Sequence, residues 1–567
     1  MSEPAKGRNM HRYKVLKNGK IWTGDRSSLW KDVLVTEGEN IVYTGVGDVP
    51  AEYLADAEAF DLGKKMVIPS LIDSHIHISS LAQSTYFYVM ENTDTVEIIQ
   101  KNIRQYANTH PDQAFIYVES CPTVLMDDSR MTKEYLDAVV PDRPVLLCDA
   151  SFHRALLNSK MLELMEITRE NHTHGGLKVY EKNAKGELTG IVYEHAYDDD
   201  IEKMYEKIGW YPPDVSTGDV MLPFLDMMSG WGVSCILDGL TEGEKTLQGM
   251  RALEEAGKLH FYFHGTSLFT GIRDLDESIC RLREWQKKYG SRHVILNTMK
   301  LFLDGTNEIG TSAVIEPFAN DPEGKTRGTL LVERGELADI FVRLQEENLN
   351  IQIHMVGDRA FRTGLDAVED AKKILSERGE KLTIRINFLH CELTKPEDRK
   401  RPARLGVHIN WSPQWSGGIF GEDAILYLGR ERFDSMYSFQ EIIRSGAVVG
   451  YSSDVVDIGE ISRANPFAGI QIGHTRMDKD VGGGVRQPAD ERISREDLLY
   501  GYTAGNARQV GMEDSVGMLK PGMLANIAVL NKDYFEIAAE DISSICAERL
   551  MFEGEWVLPG MRSGDFL

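Results

Sequence analysis

The sequence predicts an α/β protein: a TIM-like (β/α)8 barrel, a small β-sandwich domain formed from both termini, and a large insertion after the first barrel strand. Three observations predict it. Through the middle of the chain, apolar β-branched runs alternate with amphipathic stretches, the rhythm of a parallel sheet with helical crossovers. Both ends carry short apolar runs broken by turn signals. One interval, from Ser79 to Pro223, is far too long for a single crossover.

At the N-terminal end, "KVLKNGKIWTGD" and "DVLVTEGENIVYTGVGD" read as strands, and Asn18-Gly19 between alternating residues predicts a hairpin. At the C-terminal end, "GMLKPGMLANIAVLNKD" and "ERLMFEGEWVLPG" read the same way. Neither end suffices for a core of its own, so residues 1–70 and 505–567 are assigned to one composite β-sandwich domain. The barrel takes residues 71–78 and 224–504. Its strands begin with "MVIPSLIDSHIHI" and continue through "VSCILDG", "LHFYFHGTS", "VILNTMKLFLDG", "NIQIHMVG", "TIRINFLHCE", "VHINWSP" and "VVGYSSD". Helical patterns such as "GELADIFVRLQEENL" and "FRTGLDAVEDAKKILSERG" separate them, and eight such strands suit a closed barrel. Residues 79–223, with a strand at "DQAFIYVES", form a subdomain over the barrel mouth, where loops at strand ends line active sites.

A chain of 567 residues, 42% of them hydrophobic, can fill two or three structural units. The formal charge of -25 disfavours nucleic acid or an anionic membrane as principal partner. Six scattered cysteines suggest neither a disulfide framework nor a cysteine-based zinc site. The polar start "MSEPAKGRNMHRYK" lacks the apolar core of a signal peptide, and no segment has the apolar length of a membrane span. A cytoplasmic location follows as the expectation, with a homodimer as the common default for soluble assemblies.

Chemistry enters at His75 and His77. In a strand, residues two apart point the same way, so these imidazoles converge while Ile76 and Ile78 face the opposite layer. Spacing alone proves little: His172 and His174 share it, yet they sit among polar residues and glycines and read as a solvated loop. The other strand ends decide. The fourth strand delivers Lys300, the fifth His354, the sixth His390 and the eighth Asp454. In a barrel these ends surround one mouth. Singly, each could be a hydrogen-bonded core residue or a helix cap. Together, four histidines, a lysine and an aspartate form a divalent-metal site, with zinc favoured by the imidazole-rich set.

The stretches "PSLIDSHIHI", "KLFLDGTNEIGTSA", "IQIHMVGDRA", "HCELTKPEDRKRPARLGVHINWSPQW", "GYSSDVV" and "GYTAGNARQVGMEDSVGMLKPGMLANIAVL" resemble the amidohydrolase superfamily. The likeness is nearer to its family 3 branch, which includes N-substituted formamide deformylase-like enzymes. The insertion's "SFHRALLNSKML" and "GELTGIVYEHA" also resemble segments of that branch. The resemblance implies that His75, His77 and Asp454 hold one metal, that His354 and His390 hold a second, and that Lys300, carboxylated by CO2, bridges the two. The alternative for Lys300 is a pair with Asp304 and a single-metal site. The implied reaction is hydrolysis of an amide-type C–N bond in an N-formyl, N-acyl or cyclic amide. Asp454 takes the proton of the attacking water and passes it to the leaving nitrogen. Three positions depart from the usual pattern: Ser70, Leu389 and Asn526.

His153 is a candidate donor to the substrate or its oxyanion, with a structural histidine as the rival. Trp411 and Trp415 are candidates for an apolar pocket wall, or for plain packing; as a wall they favour an aryl or alkyl substituent on the substrate. Arg359 and Arg476 are candidates for bidentate carboxylate binding. Two other functions stay open: a single-metal deaminase of an amidine or heterocyclic amine, and a non-catalytic scaffold on the same fold.

Overall fold

The structure, a computed structural model, describes residues 11–90, 95–170, 178–194, 196–241 and 243–557. His172 and His174 lie outside the described residues. Eight parallel strands form a nearly closed barrel: β1 (Leu71–Ile76), β2 (Val233–Asp238), β3 (Tyr262–Leu268), β4 (Val294–Phe302), β5 (Asn350–Met355), β6 (Ile386–His390), β7 (His408–Trp411) and β8 (Val448–Tyr451). Each pairs with the next in parallel register. All eight coincide with the runs that the sequence marks as strands. Their residues are almost wholly buried, as expected where helices cover one face and a packed interior the other. The two helical patterns fold as Arg334–Glu347 and Asp358–Glu377; the second buries Phe361, Leu365 and Val368 at helical spacing against the sheet.

Between β8 and β1 no strand ladder forms, and the seam is closed in two other ways. Near the mouth, the Asp454 amide donates to the His75 carbonyl at 2.8 Å and the His77 amide to the Val455 carbonyl at 3.1 Å. The Ser453 amide donates to Asp73 Oδ1 at 3.1 Å. Deeper, Asn506 joins the two strands: its Nδ2 donates to the Ile72 carbonyl at 2.5 Å and the Tyr451 carbonyl at 2.7 Å. Its Oδ1 accepts from the Tyr451 amide at 3.0 Å and the Ser74 hydroxyl at 2.8 Å. Gly450 makes room for this, because a Cβ there would lie 2.1 Å from Asn506 Oδ1.

Strands from both ends of the chain share one eight-stranded sheet, in which Ile527–Leu530 runs antiparallel to Met66–Pro69 with Ala528 opposite Ile68. The hydrogen bonding links all these strands in one continuous sheet. The hairpin expected at Asn18-Gly19 is not formed. Tyr13–Trp22 is one strand with a bulge, its register on Trp30–Glu37 shifting between Lys17 and Ile21. Asn18 takes φ 57°, and a Cβ on Gly19 would meet Leu62 Cδ1 at 2.7 Å. The signal for a turn marks a bulge because Met66–Pro69 and Ala57–Asp61 pair along the strand's other edge and keep it extended.

Between β1 and β2 lies a six-stranded sheet, in the order Val179–Lys182, Leu188–Tyr193, Arg154–Leu157, Val145–Asp149, Ile116–Cys121, Tyr88–Val89. Apolar clusters cover both of its faces, one around Ile99, Val118 and Leu147 and one around Phe115, Leu146 and Met161. Among the described residues no helix is long and apolar enough to cross a membrane. All six cysteines are free.

The N-terminal end of the barrel joins the terminal sheet through an ionic cluster. His293 Nδ1 is 2.9 Å from Glu254 Oε1, and its Nε2 is 3.3 Å from Glu553 Oε1. Arg292 and the Tyr262 hydroxyl also reach Glu553 Oε1, at 2.8 and 2.5 Å. Glu553 foremost, with Glu254, raises the imidazole pKa above its ordinary value. The resulting stabilisation is complete below about pH 6.5, the unfolded value, and is lost as pH rises through the higher folded value. His293→Asn is therefore expected to cost more stability at pH 6 than at pH 9 in chemical denaturation; equal costs would show that the charge contributes nothing.

Candidate metal centre and active site

β1 ends in the histidine pair, with His75 1% exposed and His77 directly after the strand. The seam bonds of this strand to the segment after β8 bring Asp454, at φ 52°, against both rings. His75 Nε2 is 3.1 Å and His77 Nε2 3.3 Å from Asp454 Oδ1. Gln352, inside β5, sets the chemistry of this contact. Its Nε2 donates to the Ser74 carbonyl at 2.9 Å, which turns its Oε1 toward His75 Nδ1 at 3.2 Å. His75 therefore carries its proton on Nδ1. Burial foremost, with Lys300 next, pulls its pKa down to about 4, so the ring is neutral near pH 7. A neutral imidazole protonated on Nδ1 presents a lone pair at Nε2, and that lone pair faces a carboxylate oxygen. Two acceptors at this distance repel unless a cation sits among them. One donor atom each from His75, His77 and Asp454 lies within 4.8 Å of the others, and two nitrogens with one oxygen suit a divalent transition metal. Gly239 leaves space for the ring: a Cβ there would lie 2.4 Å from His75 Cε1.

His390, at the end of β6 with φ 66°, places Nδ1 3.4 Å from Asp454 Oδ2. Its Nε2 is buried with no hydrogen-bond partner, an orphaned nitrogen of the kind a metal satisfies. His354, on β5, donates Nε2–H to the Gly305 carbonyl at 3.3 Å, which leaves Nδ1 as the nitrogen with a free lone pair. The two rings are 4.5 Å apart, and the His390 and His75 rings 5.6 Å apart. Burial foremost drives both His354 and His390 far toward the neutral, coordinating form.

Lys300, on β4, is 1% exposed, with Nζ 4.7 Å from the centroid of the Phe302 ring. Burial outweighs the pull of Asp454 and Asp238 and brings its pKa down to about 8. It does not pair with Asp304, whose carboxylate instead accepts the amides of Ala313, Val356 and Gly357 at 2.8 to 2.9 Å.

The inserted sheet contributes the far side. His153 Nδ1 is 2.6 Å from Glu194 Oε2, and its ring is 5.8 Å from that of His354. Burial lowers the His153 pKa, but Glu194 above all outweighs it and the net shift is upward. Trp415 stacks on His390 at 5.5 Å and 19°, and Phe420 continues the stack at 6.3 Å, giving the site an apolar wall. Trp411 is 1% exposed and packs edge-on against Phe439 at 4.7 Å, which is packing. Arg476 is fully buried, its guanidinium donating to the carbonyls of Arg486, Tyr437 and Gln487, and Arg359 holds the carbonyls of Arg327 and Gly328. The donors of Arg476 thus go to backbone carbonyls, whereas Arg359 Nε is buried without a hydrogen-bond partner.

Gln352 and Glu194 escape a reading of the sequence. Gln352 is one of three polar residues that alternate with apolar ones in β5, and Glu194 lies within a stretch whose resemblance carries no chemical role.

Residues 58–558 match the model of the amidohydrolase family. The N-substituted formamide deformylase of Arthrobacter pascens is 23% identical, over 97% of this chain and 98% of its own. The exoenzymes regulatory protein AepA of Pectobacterium carotovorum subsp. carotovorum is 22% identical, over 77% of this chain and 92% of its own. Among solved structures, an uncharacterized metal-dependent hydrolase from Pyrococcus horikoshii superposes with a TM-score of 0.69 at 23% identity, covering 93% of this chain and 99% of the other. With the family matched across most of its length, and with a metal-suited cluster at the mouth of its barrel, the chain belongs to the amidohydrolase family, in its family 3 branch, and is a metal-dependent hydrolase.

Proposed function

We propose that the protein hydrolyses an amide-type C–N bond of a small molecule with an apolar or aromatic substituent, using two zinc ions per chain. One observation carries the reading: a neutral His75 turns its lone pair onto Asp454, with His77 and the orphaned nitrogen of His390 beside it. His75, His77 and Asp454 would hold one ion, His354 and His390 the other, and Lys300 as its carbamate would bridge them. The ions, when bound, supply Lewis acidity to the scissile carbonyl and to the attacking water.

The chain's own residues do the rest. Asp454 receives the proton of the attacking water and delivers it to the leaving nitrogen as the tetrahedral carbon collapses. Gln352 keeps His75 in the tautomer that coordinates. Trp415 and Phe420 supply a flat apolar wall that excludes water from one side and fits an aryl or alkyl group. The formamide deformylase of Arthrobacter pascens supports an N-substituted formamide as the first substrate to try.

Metal analysis of the purified protein and a screen of formanilide, acetanilide and δ-valerolactam test the reading. About two zinc ions per chain are expected, with turnover lost on chelation and restored by zinc. One ion per chain together with ammonia release from an amidine would replace it by a single-metal deaminase. A metal-free protein with full activity would overturn it.

A further inference from the structure

We infer that Glu194 is a positioning residue for the reaction: it clamps the His153 imidazole so that the ring's other nitrogen, Nε2, meets the amide group of the substrate. The inference rests on the hydrolase reading. It begins with strand pairing. Arg154–Leu157 and Leu188–Tyr193 run antiparallel with Arg154 opposite Tyr193, so the residues just beyond that pair, His153 and Glu194, face each other. Their backbones are joined as well, the Glu194 amide donating to the His153 carbonyl at 2.7 Å.

The carboxylate of Glu194 then divides its two oxygens between two parts of the fold. Oε2 takes His153 Nδ1 at 2.6 Å, while Oε1 accepts from the Thr311 hydroxyl at 2.9 Å. Thr311 belongs to the loop after β4, and its oxygen also accepts the Thr306 amide at 2.9 Å. The neighbouring Gly305 carbonyl is the acceptor for His354 Nε2. One short chain of hydrogen bonds thus runs from the inserted sheet to the loop that orients a metal-site histidine. Gly305 is needed for it, because a Cβ there would lie 2.1 Å from Thr311 Oγ1 and 2.8 Å from Glu194 Oε1.

Both side chains are largely covered, His153 at 16% and Glu194 at 12% exposure. A carboxylate on Nδ1 settles which nitrogen carries the first proton and freezes the ring's rotation, the part that carboxylates play behind catalytic and metal-bound histidines. A side chain serving only to pack the inserted sheet would not need an acceptor anchored on the barrel loop.

The test uses the zinc-loaded full chain with formanilide, acetanilide and δ-valerolactam as probes. Glu194→Gln is expected to lower kcat about 10- to 100-fold with KM, zinc content and thermal midpoint near wild type, and Glu194→Asp to recover part of the loss. Because Glu194 acts through His153, the double variant with His153→Asn should be no slower than His153→Asn alone. Losses that multiply, or a harmless Glu194→Gln, would overturn the inference. A readout that needs no turnover accompanies these: in histidine-labelled protein, 15N–1H spectra should show a low-field Nδ1 proton of His153 that disappears in Glu194→Gln, and its absence from wild type would overturn the clamp. Failure of the hydrolase reading shows separately, as wild type without zinc or without turnover of any probe. Should Glu194→Gln not fold, Thr311→Val removes the anchor of one oxygen and is expected to lower kcat in the same direction; an unchanged kcat would overturn the inference.

Discussion

Asp454→Asn is expected to slow turnover by about 10²- to 10⁴-fold while most of the metal stays bound. In the proposed reaction the carboxylate is both ligand and base: one oxygen faces His75 and His77, and the other faces His390. An amide of the same shape retains an oxygen for the cation and loses the proton acceptor. Zinc content by elemental analysis and kcat at saturating formanilide separate the two effects. Undiminished turnover in the variant would remove Asp454 from the chemistry.

Lys300→Met is expected to reduce bound metal from about two ions to about one and to lower turnover by at least about 10²-fold. An ammonium in this position would repel divalent ions, and burial already disfavours it. Among the described residues no carboxylate lies within ion-pair distance of Nζ, whose near contact is the face of Phe302. Reaction of the neutral amine with CO2 gives a carbamate and releases a proton, which converts a repelling group into an anionic ligand. Intact-protein mass with and without bicarbonate reads the adduct, and elemental analysis reads the ions. Full metal occupancy in Lys300→Met would exclude a bridging role for this side chain.

The strands were legible because parallel barrel strands are apolar throughout, and the residues that interrupt them at their C-terminal ends stand out by contrast. His75, His77, Lys300, His354, His390 and Asp454 all do so, and the fold carries them to the same end of the barrel. What the sequence hides is the support beneath them. Gln352 matters only because its register in β5 lies behind His75, and Glu194 only because Thr311 comes to meet it from a distant loop. Asn18-Gly19 misled for a related reason: local turn chemistry reads the same in a hairpin and in a bulge, and the choice belongs to strands arriving later in the chain. Arg476 looked available for a ligand, yet the backbone carbonyls of Tyr437, Arg486 and Gln487 accept from its guanidinium.

The joint at Asn506 has a consequence for how the molecule is made. The first barrel strand emerges early in translation, but its neighbour across the seam and the asparagine that stitches them come near the end. Until then the nascent chain holds an open ring, with two of its histidines on one free edge and their aspartate on the other or not yet synthesised. A chain that stops short of this residue lacks the side chain that joins the two edges at depth, so the complete seam beneath the histidine pair can form only in the last stage of synthesis.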